Sequence, residues 1–109
     1  MNGVFLILNL ALNYGSKEEI SNAFKAILAQ RNKEVSIKKI EQNLYTKNIP
    51  DPDLMIRTGG NKRLSNFLLW QLAYTEIFFV SKLWPDFNED DFDNIIYKFK
   101  KIKRNFGKI

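Results

Sequence analysis

Arg57 and Arg63 stand six positions apart in the stretch RTGGNKRLSN, with Gly59 and Gly60 between them and Ser65 close behind. Guanidinium groups carry forked N–H donors that match the oxygens of phosphates and carboxylates. Glycines let a backbone approach a ligand closely. A helix opening near Ser65 would add unpaired N–H groups, which favour an anion, and the serine hydroxyl is a further donor. Together these features suit a group with several negative oxygens, and a diphosphate better than a lone carboxylate. They also describe an ordinary glycine turn with surface arginines, in which Ser65 only caps a helix. Glu76 closes the helix expected before the apolar run Ile77–Val80. An acid there opposes the helix dipole. A hard cation such as Mg²⁺ would give it a use, because Mg²⁺ is usually held by one or two carboxylates plus substrate phosphates. A solvated glutamate is the alternative.

Composition narrows the remaining chemistry. The 109 residues contain no Cys and no His, so thiolate nucleophiles, disulfides, thiolate metal sites and imidazole bases are excluded. Any reaction must run on carboxylates, Lys, Arg, hydroxyls, amides or a bound hard cation. A cytoplasmic setting agrees with the absence of Cys. The formal charge of +5 is not spread over the chain. Lys98, Lys100, Lys101, Lys103, Arg104 and Lys108 crowd the last twelve positions with no acid among them, leaving 11 basic and 12 acidic residues elsewhere. The basicity is a tail at a helix end, where the dipole accounts for it, and no nucleic-acid face is expected.

The elements that must position these residues follow from periodicity. Val4 to Leu12 is apolar in nearly every place, as in a strand buried on both faces of a parallel sheet, and it reads as a strand rather than a signal peptide. No apolar run approaches the roughly 20 residues of a membrane helix. Ser16 starts a helix, with Glu19 at capping-box spacing and Ile20, Ala23, Phe24, Ile27 and Leu28 on its apolar side. A second helix is expected over Ile37 to Tyr45, and Pro50 and Pro52 mark a turn. Leu54 to Arg57 is a short buried strand and Thr58 to Lys62 a loop. A helix is expected from Ser65 or Asn66 to about Thr75, and a strand over Ile77 to Val80. Asn88 caps the last helix, whose stripe is Phe92, Ile95, Ile96, Phe99 and Ile102. This order predicts an α/β fold with a mostly parallel sheet flanked by helices. Ligands in such folds gather at the carboxyl ends of strands, where Asn13-Tyr14-Gly15 and Arg57-Thr58-Gly59-Gly60 stand. The run NFLLWQLAY could line a long apolar ligand, but core packing is its ordinary use.

The string PDPDLMIRTGGNKRLSNFLLWQLAYTEIFFVSKLWPDF, residues 50 to 87, resembles the signature region of the cis-prenyltransferases of the undecaprenyl diphosphate synthase type. LNLALNYGSKEEI resembles the preceding strand and helix of that family, and KRNFGKI its arginine-containing Phe-Gly terminus. The resemblance implies the cis-prenyltransferase fold and a Mg²⁺-dependent condensation of isopentenyl diphosphate onto farnesyl diphosphate. The polyprenyl product partitions to the membrane as the lipid carrier for cell-wall sugars. By matched position it implies that Arg57, Arg63 and Ser65 bind isopentenyl diphosphate and that Glu76 ligates Mg²⁺. It places Asn13 and Gly15 near the active site, and Arg104 and Gly107 near a partner's diphosphate. It implies a homodimer, in contact from the helix before Glu76 through IFFV and LWPDF, and a cytoplasmic enzyme peripheral to the membrane.

The chain also departs from the family pattern. Asn61 stands where an acid is usual, Gly59 where a Ser is frequent and Lys108 where a second Gly is common. The family's Asp-Gly-Asn segment, which carries its catalytic Asp, has no counterpart here. The expectation is therefore that residues 1–109 are the C-terminal part of a single domain whose N-terminal half is absent. Met1 directly before a core strand is read the same way. The chain alone is then inactive. A non-catalytic synthase-like subunit that stabilises a partner is the alternative.

Overall fold

The computed structural model describes residues 5–108. Its elements in chain order are α1 (Ser16–Leu28), α2 (Ile37–Glu41), β1 (Leu54–Arg57), β2 (Glu76–Phe79), a short 3-10 helix (Trp84–Asp86) and α3 (Glu89–Lys100). β1 and β2 pair in parallel, with Leu54 opposite Glu76 and Arg57 opposite Phe79. The ladder is extended at both ends. Glu76 N donates to Asp53 O at 3.1 Å, and Val80 N donates to Arg57 O at 2.8 Å. The expected strands at 54–57 and 77–80 are thus present, the second displaced by one residue so that Glu76 opens a strand instead of closing a helix.

The core sits between α1 and α2. Ala23 and Ile27 of α1 are fully buried against Ile40 and Leu44, and Ile20 and Trp70 pack around them. Burying a side chain such as Ile27 stabilises by about 2 kcal/mol. On α1, Leu28 lies beyond this contact and is 60% exposed. α2 is shorter than expected. After Glu41 the chain turns through i→i−3 bonds, Asn43 N to Ile40 O at 2.9 Å and Leu44 N to Glu41 O at 3.4 Å. This tighter winding still carries Leu44 into the core.

Three further expectations are corrected. The strand expected over Val4–Leu12 begins outside the described residues, and its described part, 5–12, has no ladder partner. Phe5, Leu6 and Leu12 are 92%, 90% and 83% exposed. A strand that is apolar on both faces needs neighbours and covering layers, and the described residues supply neither. The helix expected from Ser65 to Thr75 is a series of turns, because Ser65, Asn66 and Leu68 take positive φ values of 50°, 64° and 45°, which no right-handed helix accepts. Ser16 and Glu19 do not form a capping box. Gly15 is the N-cap of α1 and makes no side-chain cap bond. The last helix is capped as its sequence predicts, with Asn88 and Asp91 capping each other's backbone amides, but of its expected stripe only Ile95 is buried, Phe92 is 46% exposed and Ile102 lies beyond the helix end.

Candidate functional site

At the carboxyl end of β1 the chain enters the loop that carries the expected anion ligands. Gly59 and Gly60 take φ values of 95° and 82°, a region where a Cβ is strained. Their amides do not face a ligand. Gly59 N donates to Lys82 O at 2.8 Å and Gly60 N to Val80 O at 3.0 Å. The glycine pair therefore ties the loop to the end of β2, and the side chains are left to meet an anion.

Arg57 Nη1 donates to the carbonyl of Arg63 in a short bond and to Ser65 Oγ at 3.2 Å. Both acceptors are neutral, and among the described residues Arg57 makes no ion pair. Arg57 and Ser65 line one cleft of about 400 Å³, together with Met55, Ile56, Thr58, Leu64 and Phe67. Arg63 joins this group through its carbonyl. Its side chain is not among the lining groups. Two of the three expected diphosphate ligands are thus brought to one concavity, and the third is beside it in sequence. The N-terminus of the expected helix at Ser65 does not exist as an anion site, since Ser65 begins a turn.

Glu76 is not brought to this cleft. The register sets it three residues from the level of Arg57, roughly 10 Å along the strands at about 3.3 Å per residue. It lies instead beside Arg104, whose Nε is 3.9 Å from Glu76 Oε1. Arg104 Nη1 donates to Asp53 Oδ1 at 2.6 Å and Nη2 to the Tyr74 carbonyl at 3.0 Å, and the guanidinium stacks on Phe106 at 4.5 Å. Gly107, at φ 81°, allows close approach here, since a Cβ would sit 2.9 Å from Tyr74 Oη. Among the described residues no three potential ligands cluster to hold a metal by themselves. Mg²⁺ is usually held by one or two carboxylates plus substrate phosphates, and Glu76 would be one such carboxylate.

The Asn13-Tyr14-Gly15 motif does not line the Arg57 cleft, although Phe67 walls both that cleft and the cavity the motif borders. Asn13, at φ 52°, lines a separate cavity of about 410 Å³ with Tyr14, Tyr45 and Gln71. Gly15 leaves room for the ends of the Glu18 and Asn66 side chains, which a Cβ there would push aside. The first two amides of α1 are already bonded: Ser16 N donates to Asn66 O at 2.7 Å, and Lys17 N to Asn66 Oδ1 at 2.9 Å.

The roles of two residues here escaped the sequence reading. Glu19 is fully buried and accepts from Tyr14 Oη in a short bond, from Tyr45 N at 2.8 Å and from Gln71 Nε2 at 3.2 and 3.3 Å. Burial, and next the hydrogen bond to Glu19, push the Tyr14 hydroxyl up to about 12. The signal was present, since Glu19, Ala23 and Ile27 recur at helical spacing on one stripe, and an acid among core positions needs buried partners. Asn66 is the second. Its tolerance of left-handed backbone and its amide, both donor and acceptor, were the only clue.

Residues 2–107 match the undecaprenyl diphosphate synthase (prenyltransferase) family. The chain is 48% identical over 110 residues to an isoprenyl transferase of Oceanobacillus iheyensis, covering 95% of this chain and 44% of that one. It is 50% identical over 101 residues to an isoprenyl transferase of Rickettsia typhi, covering 93% and 45%. Its structure superposes on that of a probable undecaprenyl diphosphate synthase from Campylobacter jejuni with a TM-score of 0.83 at 43% identity, covering 92% of this chain and 47% of the other. A lavandulyl diphosphate synthase from Lavandula x intermedia, crystallised with dimethylallyl diphosphate, superposes with a TM-score of 0.78 at 41% identity, covering 87% and 44%. The chain spans less than half the length of these relatives.

Proposed function

The chain belongs to the undecaprenyl diphosphate synthase family, and from that premise we propose that it seats isopentenyl diphosphate for cis-condensation onto farnesyl diphosphate. The observation that carries this reading is the Arg57 guanidinium, held on Ser65 Oγ and the Arg63 carbonyl at the rim of a cleft. Neutral acceptors orient the guanidinium without cancelling its charge. A diphosphate entering the cleft meets the free edge of that fork and the Ser65 hydroxyl, and Arg63 is close enough in sequence to swing in as a second cation. Such fixed positive charge holds the donor in one orientation, so that its double bond rather than its diphosphate faces the allylic carbon.

Mg²⁺ enters the proposal through Glu76, and when bound it would neutralise the diphosphate departing from the allylic substrate. The displacement of Glu76 from Arg57 favours its serving a different diphosphate from the one Arg57 holds. It would work with a second copy of the chain in a homodimer, and Leu83 and Trp84, 62% and 73% exposed beside β2, are apolar surface available for that contact. The long product would partition to the membrane as a carrier for cell-wall sugars, made by a cytoplasmic enzyme associated with that surface.

Within this proposal residues 1–109 are the C-terminal part of one cis-prenyltransferase domain. Their Arg57 and Ser65 bind but do not catalyse, and among the described residues the cleft is lined by no carboxylate that could assist the ionisation. Purified chain given farnesyl diphosphate, labelled isopentenyl diphosphate and Mg²⁺ is expected to form no labelled polyprenyl product. Titration of the same chain with isopentenyl diphosphate alone is expected to show saturable binding. Labelled product would refute the first expectation, and absence of binding would refute the reading as a whole. Retention of Arg57, Arg63 and Ser65 disfavours the alternative of a purely stabilising, non-catalytic subunit, which needs none of them.

A further inference from the structure

We propose that Asn66 is a positioning residue for the diphosphate cleft: it fastens the loop bearing Ser65 to the first turn of α1 and thereby sets the affinity of the Arg57–Ser65 pair without touching the ligand. The inference rests on the reading of that cleft as a diphosphate site.

The fastening has three strands on one side. Asn66 Oδ1 accepts from Lys17 N at 2.9 Å, its carbonyl accepts from Ser16 N at 2.7 Å, and its Nδ2 donates to Glu18 Oε2 at 3.1 Å. Residue 66 thus supplies the N-terminal capping of a helix that lies 49 positions earlier. The return bond comes from α1. Ser16 is fully buried, and its Oγ accepts from Leu69 N at 2.9 Å. Each segment satisfies backbone groups that the other leaves open, so neither half of the clasp is complete alone.

The consequence for the cleft follows from how its loop is held. At one end Gly59 and Gly60 are bonded to the carbonyls of Lys82 and Val80. At the other end Ser65 and Asn66 occupy consecutive left-handed conformations, which are unfavourable for residues with a Cβ. Locally only Phe67 N to Leu64 O, at 3.1 Å, supports that turn. The clasp to α1 is what selects it. Ser65 immediately precedes Asn66, and its Oγ is the 3.2 Å partner of Arg57 Nη1. Release of Asn66 frees Ser65 to leave the left-handed region, and Arg57 then loses one of the two oxygens that aim it. Asn66 itself is not among the residues lining the cleft, so its influence passes through Ser65.

Asparagine is suited to this place by two properties. It tolerates left-handed backbone better than other side chains with a Cβ, and its amide offers an acceptor to Lys17 N and a donor to Glu18. Glycine keeps the backbone and loses the amide. Aspartate keeps the acceptor but sets a carboxylate against Glu18. These differences define the test, which uses isopentenyl diphosphate as the titrant and the intact chain, well below the melting temperature of each variant. Asn66→Gly should weaken binding about fivefold, the effect of one lost cap-strength hydrogen bond, and should broaden the Arg57 Nε–Hε resonance. Asn66→Asp should weaken it similarly, and Asn66→Asp with Glu18→Gln should restore it to within about twofold by removing the like-charge contact. A residue that only stabilises the fold would lower the melting temperature of these variants and leave the affinity and the Arg57 resonance unchanged. That outcome overturns the inference while the binding site stands. Failure of the unsubstituted chain to bind overturns the site and the inference together. Should Asn66→Gly not fold, the Asp pair decides: affinity unaltered in Asn66→Asp refutes the clasp, and loss followed by rescue upholds it.

Discussion

The two ends of the β1–β2 pair each hold an arginine, and the fold uses them in opposite ways. Arg57, at the carboxyl end, leans on a carbonyl and a hydroxyl. Arg104, beside the amino end, bonds Asp53 at 2.6 Å and the Tyr74 carbonyl, and Glu76 lies within 3.9 Å. A guanidinium held by neutral oxygens keeps its positive charge for a ligand. One flanked by two carboxylates already has acceptors of opposite charge beside it, although the exposure of Asp53 lets water screen that pair. The difference teaches that an arginine's availability is decided by the charge of what orients it. Both were expected to serve diphosphates, Arg104 from a partner's side, and in this chain their surroundings differ: neutral oxygens around Arg57, two carboxylates beside Arg104.

The sharpest way to break this comparison is to remove each arginine in turn and measure isopentenyl diphosphate binding. Arg57→Ala is expected to weaken it tenfold or more, the effect of about 1.4 kcal/mol or greater from lost charge-assisted hydrogen bonds. Arg104→Ala should change it less than about twofold, the range of a distant surface charge. Equal losses would mean that the two ends form one site, and the assignment of separate roles would fail.

Stability should respond in the reverse order, with a smaller effect. Arg104→Ala removes a side chain that is only 16% exposed and that bonds Asp53 and the Tyr74 carbonyl at once. Asp53 is 71% exposed, so its ion pair contributes little after screening. The carbonyl bond and the stacking on Phe106 carry most of the expected loss of about 1 kcal/mol. Arg57→Ala, whose partners remain accessible to water, should cost less than about 0.5 kcal/mol. Urea denaturation of both variants checks this, and a larger loss for Arg57→Ala would show that its loop is held by the guanidinium rather than by the clasp.

How far these roles could be read from sequence depends on the range of the interactions behind them. The Asn88 cap was legible because it depends on residues within a few positions, and β1 because its short apolar run is bounded by the Pro50–Pro52 turn and the glycine loop, although its partner β2 lies 22 positions on. The turn at 65–69 was not, because Asn66 and the Leu69 amide bond to α1, far away in sequence, and those bonds outcompete a local helical ladder that NFLLWQLAY would otherwise support. Arg57 and Ser65 were legible as a pair, since a glycine turn at a strand end has few ways to close. The capture of Arg104 by Asp53 and Glu76 was not, as nothing near 104 contains an acid. Segment 5–12 reads as a buried strand for a sound physical reason, and what it lacks among the described residues is a neighbour.

The smallest expected effect tests whether the carboxyl end of the β1–β2 pair, where Arg57 stands, is supported from behind by α1. Tyr14 donates to buried Glu19, and its hydroxyl is pushed up to about 12 from 10.0. In the unfolded chain it titrates near 10, so between pH 10 and about 12 the folded state retains a proton that the unfolded state has lost. Stability from this group is therefore complete below pH 10 and declines as pH rises through the folded value. Ionised Tyr14 would face the Glu19 carboxylate, and the bond joining α1 to the Asn13–Tyr14 turn would become a repulsion. In Tyr14→Phe the bond is absent at every pH, so its stability curve should start lower and lack this alkaline decline. Absorbance of phenolate should likewise show a late component near pH 12 in the native chain, and that component should vanish in Tyr14→Phe. Arg104 bonds Asp53 and the Tyr74 carbonyl rather than Tyr14 or Glu19, so Arg104→Ala should leave the late component in place. Its loss in Arg104→Ala would mean that the two ends are coupled through the sheet, and the contrast between them would no longer hold.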